Sequence, residues 1–501
     1  MRIKRSILNL ILGIIGQIFT IGFGIFITRL ILVNYGSEVN GLLSSIGQII
    51  VYMSLFEAGI GTATLQALYG PISRNEEKSI NSILSATSIY YKRTGIYYFC
   101  GLLLLSIIYP LMITSKTIEL NHYSITFIIL FTGLGGALNY YFLGKYRILL
   151  SAEGKSYIDI LIVTTVNTLS NILKIILLVS GYSIVVVQGA YFLLMIVQLL
   201  IFQIYIKKNY TWINLKIEPD YKSISQKSSV LIHQVSYLIF KNTDVIILSI
   251  FTNFKVVSVY VMYNMLFGII DSIVGTVNTS ITFALGQSYN ESKEKFMLFY
   301  DTYEVYFMAL VFSMFTVTYI LVLPFIKIYT VGIDDINYID MWLPILFVTQ
   351  KILINARSSS NNIINIAGHF KNTKYRSIIE SLINLVCSLI FVQSLGIYGV
   401  LMGTIVAVLY RSIDILIYAN KEVLRRSPWI TVKRWAINVC IFLSIVVVTS
   451  KFDFQATSYI EIIVIAIKLL LSTFSLFFVI VSIFNARCFF YVVDYFRSKL
   501  T

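Results

Sequence analysis

Apolar runs of twenty or more residues recur along this chain, separated by short polar turns. A helix needs about 20 mostly apolar residues to cross a hydrocarbon core of about 30 Å. Hydropathy predicts about fourteen such spans: 7–33, 42–68, 94–114, 123–143, 158–180, 183–206, 229–252, 256–282, 302–326, 341–365, 377–395, 398–420, 435–450 and 459–484. The seventh and eighth read SSVLIHQVSYLIFKNTDVIILSIF and VVSVYVMYNMLFGIIDSIVGTVNTSITFALGQ, and only TNFK separates them. They are expected to run antiparallel.

Polar positions inside the spans recur at i+3 and i+4, the spacing that places side chains on one helix face. The eighth span aligns Tyr260, Asn264, Gly268, Asp271, Gly275, Asn278 and Thr282, and the seventh aligns His233, Tyr237, Lys241 and Asp244. The second aligns Gly47, Ser54, Glu57, Gly61 and Thr64, and the fifth Thr164, Asn167, Asn171 and Lys174. The first carries Arg29, the tenth places Gln350, Arg357 and Asn361 along one side, and the twelfth carries Arg411 and Asp414. Charges at the centre of a span cost about 2.5 to 3.5 kcal/mol each, so they rarely face lipid. Such faces in both halves imply a polar chamber. The competing readings are structural: Lys241 with Asp244 and Arg411 with Asp414 are i to i+3 pairs that neutralise each other, Arg29 can snorkel to an interface, and Gly and Asn stripes serve close helix packing. Glu57, Asp271, Lys174 and Arg357 have no opposite charge one turn away, which favours a functional role.

Composition agrees: 57% of the 501 residues are hydrophobic and 13% charged, against about 25% charged in soluble domains. The class is a polytopic membrane protein, with the first run retained as a span rather than cleaved. The net charge of +15 does not mark a nucleic-acid binder, because its cations cluster in alternate loops. Lys92 and Arg93, Lys207 and Lys208, Lys371, Lys374 and Arg376, and Arg425 and Arg426 fall on one side; the other side holds only Lys116, Lys255, Lys327 and Lys451. By the positive-inside rule both termini are cytoplasmic. The four cysteines lack metal spacing.

Landmarks repeat along the chain. Ala67, Asn75, Glu76 and Lys78 return as Ala284, Asn290, Glu291 and Lys293, offset by 217 and then 215 residues. Ala152 and Gly181 return as Ala367 and Gly396, both offset by 215, and Asn34 as Asn253, offset by 219. Six helices per copy make the repeat parallel, as in two-lobed secondary transporters. The expected architecture is all-α: an N-lobe at 1–206, a basic cytoplasmic linker at 207–228, a C-lobe at 229–420, and a helix pair with a tail at 421–501 that reads as an appendage.

The stretch FKNTDVIILSIFTNFKVVSVYVMYN, the loops AEGKSY and AGHFKNTKY, and the fourteen-span two-lobe layout resemble the polysaccharide (O-antigen and capsule type) flippases of the multidrug/oligosaccharidyl-lipid/polysaccharide exporter superfamily. The resemblance implies a V-shaped bundle in the bacterial plasma membrane that moves an undecaprenyl-diphosphate-linked oligosaccharide unit from the inner to the outer leaflet, without enzymatic chemistry. It implies lumen cations for the diphosphate, matched here by Arg29, Lys174, Lys241 and Arg357. Asn167, Asn171, Asn264, Asn278 and Asn361 are the candidates for sugar hydroxyls, and Glu57, Asp244, Asp271 and Asp414 for a coupling H⁺ or Na⁺. No cofactor is expected, and the partners implied are the lipid-linked cargo, the bilayer, and a polymerase and glycosyltransferases of the same pathway. The alternatives are a polytopic polymerase or ligase of that pathway, a multidrug exporter of the same superfamily, and an envelope scaffold. A polymerase would carry a large outer loop with catalytic Arg or His, whereas the longest outer turn here holds Asp334, Asp335 and Asp340. A drug exporter would favour an acidic chamber.

Overall fold

The apolar runs fold as helices, and among the described residues no strand occurs. The computed structural model describes residues 2–57, 59–113, 120–224, 227–289, 292–452, 454 and 456–500; the side chains of His233 and Tyr237 lie outside the described set. In chain order the helices are α1 Arg2–Met53, α2 Ile60–Ser73, α3 Glu77–Met112, α4 His122–Leu138, α5 Gly144–Ala152, α6 Ser156–Val179, α7 Ile184–Asn209 and α8 Lys227–Phe251. They continue as α9 Phe254–Ser288, α10 Lys293–Tyr329, α11 Leu343–Ala356, α12 Ser358–Ile366, α13 Phe370–Leu395, α14 Ile397–Tyr418, α15 Trp429–Thr449, α16 Tyr459–Phe484 and α17 Ala486–Leu500.

Eleven helices among the described residues are long and apolar enough to cross a membrane, so the protein is a multi-pass membrane protein. The three further spans expected from hydropathy have local explanations. The first two are separated by Gly36 (φ 79°, ψ 175°) inside α1, a break in a conformation that glycine adopts without a Cβ penalty, and the second runs on through the turn at 54–57 into α2. The tenth is divided at Arg357 into α11 and α12, each too short to qualify alone. The seventh corresponds to α8, of 25 residues.

The chain forms two compact units, residues 1–249 with 253–257, and 250–252 with 258–501. In the first, α1 packs on α6, α6 on α7, and α3 on α4. Residues 210–220 run back along α3. Asn81 donates to Trp212 O (3.2 Å) and accepts from Asn214 N–H (3.0 Å), and Ser85 donates to Leu215 O (3.0 Å) and Ile217 O (2.9 Å). These bonds satisfy backbone groups that a loop would otherwise leave to water. The stretch read as a basic linker therefore begins as a strap that α3 holds in place. Just beyond it, the Ser223 hydroxyl donates to Asp220 at 2.5 Å and holds that carboxyl below its ordinary pKa.

In the second unit α13 lies against α14. A Cβ added to Gly399 would sit 2.2 Å from Phe391 O, and one added to Gly403 would sit 2.5 Å from Ser388 N. This is small-xxx-small packing, supported by Asn384 Nδ2 donating to Thr404 Oγ1 at 2.8 Å on the same seam. Gly399→Ala should force the helices apart and cost about 1 to 3 kcal/mol. Thermal unfolding in detergent reads the loss; an unchanged midpoint would contradict the packing.

Helices α15 and α16 are an integral part of this unit. Both pack on α10, where Glu304 is fully buried at 0% exposure one turn from Asp301. Arg434 bridges both acids (2.7 Å to Asp301), Arg426 bridges both (3.1 Å to Glu304), and the Thr431 hydroxyl donates to Glu304 at 3.1 Å. Two arginines meet two carboxylates, so the buried group is balanced. The pair expected as an appendage is clamped to α10.

Candidate functional site

The polar face of α9 is the best defined feature of the second unit. Gly268 and Gly275 flank Asp271 at i−3 and i+4, and a Cβ at either would meet nothing within 4 Å. These glycines line open space, not a helix contact as the packing alternative required. Asp271 Oδ2 accepts from Lys351 Nζ at 2.6 Å and Oδ1 from Asn355 Nδ2 at 2.7 Å. Lys351 and Asn355 lie one turn apart on α11, so both reach the same carboxylate. The Lys351 side chain is 10% exposed and that of Asp271 29%, so the acid is the open end of the pair.

Further along α9, Asn278 Oδ1 accepts from Asn362 Nδ2 at 2.8 Å and from the Tyr303 hydroxyl at 2.5 Å, and Asn362 also reaches Thr282 at 2.7 Å. The amide in this cluster is Asn362, next to the expected Asn361. Asn264 is half-buried on the face that carries Asp271.

A second network joins α12, α13 and α14. Arg357 Nη2 donates to Glu380 at 2.7 Å, and Arg411 stands 3.6 Å from Glu380 and 2.5 Å from Asp414. Arg376 pairs with Asp414 and stacks over the Tyr418 ring at 4.7 Å. Three guanidinium groups share two carboxylates, leaving one positive charge in excess. Arg357 Nη1 is buried with no hydrogen-bond partner among the described residues. Asp414 has both oxygens occupied by arginine, which makes it a structural acid and a poor place for an exchanging ion.

The expected residues of the first unit are dispersed. Glu57 ends a 3-10 turn, Ser54–Glu57, and its Oε1 accepts Gly61 N–H at 3.1 Å and the Tyr91 hydroxyl at 2.5 Å. It thereby caps the start of α2. Lys174 Nζ lies 4.0 Å from the centre of the Tyr191 ring. Asn167 and Asn171 line a cleft of about 370 Å³ beside α1, together with Gln17, Thr20 and an Arg147–Asp159 ion pair at 3.0 Å. On α8, Lys241 is exposed and Asp244 is buried at 3%; Arg29 is half-buried on α1.

Lys351, Asn355, Asn362, Glu380 and the Asp301–Glu304 group were not among the expected site residues. Glu380 could have been found, because it is an acid inside the eleventh apolar run. Lys351 could not be paired from the chain, because its acid lies 80 positions away on another helix. No group of three or more His, Cys, Asp and Glu suited to a metal occurs among the described residues.

No family model and no curated protein matches the sequence. The fold does have solved counterparts. A lipid II flippase, MurJ, in an inward closed conformation superposes with a TM-score of 0.68 at 16% identity, covering 96% of this chain and 99% of that one. A multidrug resistance MATE family transporter of the MOP superfamily, inward-facing, gives 0.65 at 16% identity over 81% of this chain and 95% of its own, and a MATE transporter in the bent conformation gives 0.56 at 17% over 84% and 96%. The protein thus has the all-helical fold shared by a lipid II flippase and MATE transporters.

Proposed function

We propose that the protein is a flippase for a lipid-linked oligosaccharide with an anionic diphosphate head, moving it from the cytoplasmic to the outer leaflet of a bacterial plasma membrane for surface-polysaccharide assembly. One observation carries this reading. The chain matches the lipid II flippase over 96% of its length, against 81% and 84% for the MATE transporters, which are themselves almost fully covered. A cargo with a polyprenyl tail gives a helix pair beyond the two six-helix lobes a purpose, because the tail can stay in lipid while the head crosses. The charge balance agrees, since the network around Arg411 has a cationic excess suited to phosphate and unsuited to cationic drugs.

In this reading the open polar face of α9 receives the head and the polar amides receive sugar hydroxyls. Alternating access then exposes that face to each side in turn. Asp271, open and held by a single ammonium, is the preferred site for a coupling H⁺ or Na⁺, ahead of Glu57, Asp244 and the doubly bridged Asp414. Moving one charge through the field supplies about 2.3 kcal/mol per 100 mV.

The test is the leaflet distribution of the lipid-linked unit in cells lacking the protein. The reading expects it to accumulate in the inner leaflet. Accumulation of exported, unpolymerised units would instead indicate a polymerase.

A further inference from the structure

We infer that Lys351 is the cation of the second unit that takes the phosphate of the cargo, and that Asp271 is the internal anion holding it until the phosphate displaces it. The inference rests on the flippase reading and adds to it a residue and an order of events.

Two buried ion-pair systems in the same unit show the contrast. Around Glu304 the acid is sealed at 0% exposure, each arginine reaches both acids, and Thr431 fills a remaining site. Such a group is built to stay closed. The Lys351 pair has the opposite construction. Its cation is a lysine, a point charge on a flexible four-carbon stem that gives up one partner for another without losing a bidentate geometry. Its acid is the exposed member, at 29%, flanked by Gly268 and Gly275 with open space before both. An incoming anion therefore meets the carboxylate first and finds the ammonium 2.6 Å behind it.

The polar character of that space disfavours lipid as its normal filling, since the Asp271 carboxylate, 29% exposed, would stand against hydrocarbon. Asn355 completes the device. Its amide donates to Asp271 at 2.7 Å and to Lys351 O at 2.9 Å, so it keeps the carboxylate hydrogen-bonded after the lysine leaves. Without that donor, the displaced carboxylate would be left with no hydrogen bond as well as no counter-charge, and displacement would be too costly to serve a transport cycle. Phosphate and Asp271 thus compete for one ammonium. By linkage, removing the competitor raises the affinity for the cargo head.

The experiment measures binding of undecaprenyl diphosphate, with neutral undecaprenol as control, to the purified full-length protein in nanodiscs. Asp271→Asn should bind the diphosphate on the order of tenfold more tightly than the wild type, the size of an ordinary coupling between sites. Lys351→Met should weaken it by a similar factor, and Lys351→Arg should retain it. The double variant D271N/K351M, which leaves no unpaired charge behind, should fold and bind weakly, and undecaprenol binding should not change in any variant. Equal diphosphate binding across all variants would overturn the role of Lys351 while leaving the flippase reading in place. A wild type that binds the diphosphate no better than undecaprenol would overturn both.

Discussion

Glu304→Ala should lower the stability of the solubilised protein by about 3 to 5 kcal/mol, the range for a buried ion pair that loses one partner. Glu304 is fully buried and is the acceptor shared by Arg426, Arg434 and Thr431. Removing its carboxylate leaves two guanidinium groups competing for Asp301 alone, in a region too dry to hydrate them. The damage should be local to the seam between α10 and α15. Protease nicking at 424–428, the segment that leads into α15, should therefore accelerate before the whole unit melts. Glu304→Gln should fall between alanine and wild type, because it keeps the shape and one acceptor. An alanine variant with an unchanged melting midpoint and an unchanged nicking rate would show that α15 is held by apolar contacts alone.

Asp271→Asn should leave the protein inserted yet stop surface-polysaccharide export. The amide replaces the carboxylate at nearly constant volume and can still accept from Asn355, so insertion is retained; Lys351 loses its counter-charge, and the stability this costs is recovered in D271N/K351M. What the single variant loses is the means of taking Lys351 back from the cargo, together with the carboxylate proposed for the coupling ion. A cycle that captures but cannot release should fall by at least about tenfold in export, equal to about 1.4 kcal/mol on the slowest step. Membrane abundance by immunoblot and surface polysaccharide by staining separate the two effects. Normal export in this variant would remove Asp271 from the mechanism.

The contrast between these residues shows what the chain discloses on its own. The stripe Tyr260, Asn264, Gly268, Asp271, Gly275 and Asn278 is legible because helical periodicity writes it within one segment. The same holds for the Arg411–Asp414 pair at i+3, which forms as expected at 2.5 Å. The glycine turns equivalent in the repeat are also legible: Gly181 and Gly396 both take positive φ, at 75° and 54°. Pairings across helices are another matter. Lys351 with Asp271, and Arg434 with Glu304, join positions 80 and 130 apart, and hydropathy treats each as an isolated cost. Isolated, Arg426 and Arg434 look like ordinary loop cations of the positive-inside pattern. Their burial against α10 comes from tertiary packing that no local period encodes.

The span boundaries follow the same local signals. The first two expected spans are separated by the non-helical Gly36 inside α1, and the tenth is interrupted at Arg357 between α11 and α12. Hydrogen bonding explains the strap at 210–220, where Asn81 and Ser85 on α3 hold backbone that composition alone marks as a polar connector.

The most direct measurement reconstitutes the purified protein in vesicles carrying labelled undecaprenyl-diphosphate oligosaccharide and follows how much becomes accessible on the opposite face. Movement of the oligosaccharide lipid that depends on the protein and is lost in Asp271→Asn is the predicted result. Vesicles in which the wild-type protein moves none of it, while exporting a cationic drug, would contradict the account.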